Sequence, residues 1–160
     1  MFFKKRVSVP QYCDARLSIL FSQEQARQWV CLKDEFPDAT LRNVDEQLFL
    51  DEMRAAHLQL ISLAITKQYH DIEIAMEVSA CVSSFLAKGG NQKLEDAEHT
   101  YNQAFGSSPT DGVLAMARLF STRVAKGALS QETVADIRET FYSALASVFA
   151  DFKQVKIVAS

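Results

Sequence analysis

Glycine, proline and cysteine are all scarce in this chain, and each scarcity excludes a class of function. Its 160 residues include five glycines, three prolines and three cysteines. The glycines fall almost wholly at the ends of apolar-periodic segments, so no glycine-rich loop is available to cradle a phosphate. Neither a G-x-G-x-x-G turn, a G-x-S-x-G nucleophile elbow nor an H-E-x-x-H zinc helix occurs. Cys13, Cys31 and Cys81 are odd in number, far apart and without C-x-x-C spacing, which fits neither a disulfide framework nor a zinc site. They read as reduced thiols packed inside helices of a cytoplasmic protein, with no neighbouring cations to activate a nucleophile.

Positive charge is also in short supply. Seventeen Lys and Arg against twenty Asp and Glu leave a net charge of −3, so no global field attracts a phosphate backbone, and nucleic acid is excluded as a general partner. The stretch "LSQETVADI" (129–137) looks like the opening of a helix-turn-helix. The next residues, "RETFYSALASVFADF", continue one helical stripe without a turn or a cationic face for a major groove.

Long apolar runs are missing too. "LQLISLAI" (58–65) is bounded by His57 and Lys67 and falls far short of the roughly 18 residues of a membrane span, so stable insertion is not expected. The opening "MFFKKRVSVPQYC" has the charges of an export signal but not its apolar core, which Pro10, Gln11, Asp14 and Arg16 interrupt. Two phenylalanines and three cations there suit at most a weak, reversible contact with an anionic membrane surface.

Helical periodicity, by contrast, is abundant. Apolar residues make up 48% and charged residues 23%, the balance of one ordinary globular domain over 1–160, with a start (1–7) and a tail (154–160) free to move. The expected fold class is all-α, a compact bundle of six or seven helices joined by short loops. Ser8 with Pro10 opens a first helix to about Phe21, and Ser22 with Gln25 has the form of a capping box for a second, the alternative being one helix that continues through Ser22. Asn43 with Glu46 suggests a third, long and apolar around most of its circumference, hence central.

Residues 71–88 alternate at their start (Ile72, Ile74, Met76, Val78), yet length and the Lys-Gly-Gly ending favour a fourth helix closed by Gly89. A fifth covers 91–105 and stops at Gly106. A sixth starts from Ser108 and Pro109 and ends at Lys126-Gly127, and a seventh starts at Ser130 with a stripe of Val134, Ile137, Phe141, Leu145, Val148 and Phe152. That stripe is too large to stand free in a soluble monomer and is expected to be core, with its far end and the "VKIV" tail available to a second copy.

Candidate chemistry is thin. His70, Glu73 and Glu77 share a helical face, and Glu95 and His99 share another, but neither pair of spacings is the Glu-x-x-His of di-iron bundles. His57, in the long helix, suits a core hydrogen bond better than a haem. No catalytic residue, metal ligand or cofactor is therefore assigned, and catalysis is not expected. The expectation is a protein–protein interaction or assembly module, its partner another protein or itself as a homodimer. The alternatives are a metal- or small-ligand-binding protein centred between the fourth and fifth helices, and a peripheral membrane protein attached through its first residues.

Overall fold

The computed structural model describes residues 3–89 and 92–160. Helices account for 78% of the described residues, in seven α-helices and one 3₁₀ helix joined by short loops. In chain order the elements are β1 (Lys5–Ser8), α1 (Val9–Leu20), α2 (Gln23–Glu35), a 3₁₀ helix (Ala39–Asn43), α3 (Glu46–Tyr69), α4 (Ile72–Gly89), α5 (Gln92–Ser107), α6 (Gly112–Val124), α7 (Gln131–Asp151) and β2 (Val155–Val158).

Local chemistry sets most boundaries. Ser8 and Gln11 form a reciprocal capping box, and the hydroxyls of Ser22 and Ser130 accept from Gln25 N and Thr133 N, each satisfying an amide that the helix cannot. Ser22 therefore separates α2 from α1. Two expected caps are corrected. Asp45, not Asn43, caps α3 by accepting from Leu48 N, because residues 39–43 are already wound into the 3₁₀ helix. Asp111, not Ser108, caps α6 by accepting from Leu114 N, while the Ser108 hydroxyl accepts from Asp111 N one turn earlier and Pro109 stays in the loop. α6 also stops at Val124, short of Gly127, and α5 passes Gly106 to Ser107. His70 ends α3 with φ 47°, the left-handed conformation more often left to glycine. α4 is helical from Ile72, so its alternating start is a coincidence of composition. The expected close of α4 falls partly on Gly90, and the expected start of α5 on Asn91, both outside the described residues.

α3 is the central element. Phe49, Met53, Ala56, Leu60, Ala64 and Ile65 are all buried, and α1, α2, α4, α5, α6 and α7 each pack against it. Phe49, Phe120 and Phe141 meet edge to face at ring-centre separations of 5.4 and 5.8 Å, joining α3, α6 and α7. On the α7 stripe Ile137, Phe141, Val148 and Phe152 are buried, with Val134 and Leu145 packed against them.

The two ends of the chain meet. β1 and β2 pair in parallel, Lys5 opposite Val155 and Ser8 opposite Val158, and Ile157 is buried with its amide donating to the Tyr69 hydroxyl at 3.0 Å. Ser160 N and its hydroxyl donate to the Glu77 carboxylate at 2.7 and 2.9 Å, fixing the last residue on α4. No described helix is long and apolar enough to cross a membrane.

Candidate functional site

α5 leans on α3 and α6 and touches α4 only lightly, while α1 and α3 hold α4 from behind. The divergence opens a groove of about 500 Å³ between α4 and α5, with α3 as its floor. A volume of that order is what proteins use to hold a ligand or a docked side-chain row.

The two walls differ in chemistry. On the α4 wall Ser79 and Ser83 are exposed over Val78, Val82 and Leu86, which are themselves buried, and Leu63, Ser62 and Thr66 continue the lining across the floor. The α5 wall carries Glu95, Asp96 and Glu98 within one turn, followed by His99 and Asn102. No Lys or Arg lines the groove, and none of the three carboxylates forms an ion pair among the described residues. Burial raises the proton affinity of Glu98, His99 opposes that rise, and Glu95 adds to it. The wall is therefore negative, partly desolvated and short of a cation.

Its geometry is held by ordinary bonds. Gln59 Nε2 donates to Asn102 Oδ1 at 3.0 Å across the floor, and the Thr66 hydroxyl donates back to the Ser62 carbonyl at 2.9 Å. His99 Nε2 accepts from Gln103 Nε2 at 3.2 Å, a contact that leaves the ring proton on Nδ1.

The residues singled out in the sequence disperse, with one exception. Glu95 and His99 line the groove together. His70 terminates α3, Glu73 is exposed, and Glu77 holds Ser160. Among the described residues no three of His, Cys, Asp and Glu converge as a metal-holding group. His57 donates from Nδ1 to the Met53 carbonyl at 2.7 Å and packs against the rings of Trp29 and Phe141. Burial pushes its pKa down to about 4.

The cysteines divide. Cys13 is buried, Cys81 is partly so, and Cys31 is exposed, which corrects the reading of all three as packing residues. Burial, with Cys81 beside it, pushes the Cys13 thiol up to about 12, far from the range of a nucleophilic thiolate. Of the N-terminal segment Met1 and Phe2 lie outside the described residues, and Phe3 is 91% exposed.

Three polar clusters elsewhere serve as struts. Arg16 and Tyr12 of α1 converge on Asp151 of α7. Arg138 and Tyr142 of α7 converge on Asp111, and Arg123 of α6 with Tyr101 of α5 converge on Glu52 of α3. Each joins elements and is internally satisfied. Of the acidic wall the sequence pattern singled out Glu95 with His99 but not Asp96 and Glu98, although "LEDAEH" carries three acids and a histidine within six residues.

Comparison with family models, with curated proteins and with solved structures found no match to this chain.

Proposed function

We propose that the protein is a non-catalytic interaction module whose groove between α4 and α5 takes a cationic amphipathic helix of a protein partner. The observation that carries this reading is the asymmetry of the groove: the α4 wall is uncharged, with Ser79 and Ser83 exposed over buried Val78, Val82 and Leu86, the facing wall carries Glu95, Asp96 and Glu98, and no lining Lys or Arg among the described residues neutralises it. A helix laid between such walls places apolar residues at i, i+4 and i+7 against α4 and lysines or arginines against α5. The apolar contact supplies affinity, and charge complementarity supplies orientation and rate. Ile72 and Met76, one turn apart near the start of α4 and 73% and 66% exposed, supply the apolar contact on that helix.

Three free thiols suit a reducing compartment, so the cytoplasm is part of the same proposal. The test is fluorescence anisotropy with two labelled peptides, a Lys/Leu amphipathic helix and its Glu/Leu mirror. The Lys/Leu peptide is expected to bind saturably, more weakly as salt rises, and at least tenfold more weakly to the Glu95→Lys, Glu98→Lys double variant. Equal binding of both peptides, or indifference to the double variant, would overturn the reading.

A further inference from the structure

A second pocket of about 420 Å³ lies where α1, α3 and α4 meet, and Leu86 lines both it and the groove. Phe21 and Phe85 pack ring against ring at 4.7 Å, Leu94 adds aliphatic surface, and the polar lining is Arg54, Lys88, Gln47 and Asp51, two cations against one carboxylate.

Arg54 is the unusual member. Its guanidinium carbon lies 5.1 Å from the Phe21 ring centre, and its Nε is enclosed without a hydrogen-bond partner. Its one ion-pair contact among the described residues is Nη1 to Asp51 Oδ1 at 3.7 Å, beyond hydrogen-bonding length. That Asp51 oxygen already accepts from Gln47 Nε2 at 2.8 Å. Buried guanidinium N–H groups are normally satisfied, and the other well-bonded arginines of this chain, Arg16, Arg123 and Arg138, each hold a carboxylate at 2.9 Å or less. Arg54 instead lines the pocket with its guanidinium braced by an aromatic ring and no carboxylate within hydrogen-bonding length.

We infer that this pocket binds a small amphiphilic anion, a monocarboxylate with an aliphatic body of medium length. The planar guanidinium fork matches a carboxylate, and with Asp51 in the lining Arg54 and Lys88 leave one net positive charge, which one carboxylate neutralises. Phe21, Phe85, Leu86 and Leu94 surround the body. A phosphate dianion brings one more negative charge than this lining neutralises, and a neutral amphiphile leaves the guanidinium as it is.

Titrating the full-length protein with octanoate, 1-octanol and octylamine, followed by amide chemical shifts and calorimetry, tests this. Octanoate is expected to bind one to one, at least tenfold more tightly than octanol, with the largest shifts at Phe21, Arg54 and Phe85 and none along Glu95 to Asn102. Arg54→Met, which keeps the stem and removes the fork, is expected to bring octanoate down to the octanol level, and Arg54→Lys to recover part of the loss. Equal binding of octanoate and octanol, binding unchanged in Arg54→Met, or shifts confined to the groove overturn the inference. The first and last of these readouts use the unmodified chain and decide the matter even where a variant fails to fold.

Discussion

The Tyr101 hydroxyl of α5 donates to Glu52 of α3 at 2.7 Å, inside the bundle, where Glu52 is 3% exposed. Arg123 Nε completes the arrangement by donating to both carboxylate oxygens at 2.8 Å. A carboxylate is tolerated inside an all-helical core only because every neighbour on its polar side is a donor.

The cluster predicts an order of losses. Arg123→Met leaves a buried carboxylate with the phenol alone and is expected to cost about 3–5 kcal/mol, while Tyr101→Phe costs about 1–3 kcal/mol. Burial and the adjacent Glu52 hold the Tyr101 phenol well above its ordinary pKa. The unfolded chain ionises near pH 10 and the folded chain does not. The stability from this group is therefore complete below pH 10 and lost above it. Urea unfolding at pH 7 and at pH 10.5 checks both statements.

His57 gives the opposite slope at lower pH. Its folded pKa, near 4, lies below the ordinary 6.5 of the unfolded chain. As pH falls through 6.5 the unfolded state takes up a proton that the folded state refuses, so stability present above pH 6.5 declines toward pH 4, by on the order of 3 kcal/mol. Glu98, whose proton affinity is raised on folding, works against this loss in the lower part of the window. Comparing unfolding midpoints of the unmodified chain with those of His57→Phe isolates the imidazole. A slope unchanged by the substitution would exclude His57 as its source.

Phe141 is fully buried between Phe120 and His57. Phe141→Ala is expected to cost about 3–5 kcal/mol, as for other buried aromatics. Because the same chain covers the ring, the melting temperature of the unmodified protein should not vary with protein concentration. Calorimetric scans over a hundredfold range of concentration test that independence.

Ile157 is buried through the closing strand pair. Ile157→Ala is expected to cost about 2–4 kcal/mol and to free the β1 and β2 amides for hydrogen exchange while α3 and α7 stay protected. Exchange that quickened equally in α3 would mean that the strands are not a separable layer.

The contrast between what the sequence revealed and what it concealed tracks interaction range. Ser8, Ser22 and Ser130 announced their helices because a cap involves residues three apart, and the α7 stripe was legible because burial of one face repeats with the helical period. Asn43 and Ser108 misled for a local reason. Each sits beside a second capable residue, Asp45 or Asp111, and the choice depends on how the intervening turn is wound. The pairing of Lys5–Ser8 with Val155–Val158 joins residues 150 apart and left no mark beyond a β-branched tail. The groove was half visible. Glu95 and His99 were noticed as a pair, but its opening depends on α5 diverging from α4, which no periodicity records. Nothing in the sequence singled out Arg54, because the rings beside it, Phe21 and Phe85, come from outside its own helix.

The direction of the strand pair has a mechanical consequence. β1 and β2 run parallel, so traction on the chain ahead of Lys5 and on the chain beyond Val158 pulls the two strands in opposite senses along their length. The cross-strand hydrogen bonds then carry the load together, in shear, instead of opening one after another as in an unzipped hairpin. A domain whose flanking segments were under tension would thus be clamped at the point where force enters, and the helices behind the clamp would be loaded only after it yields.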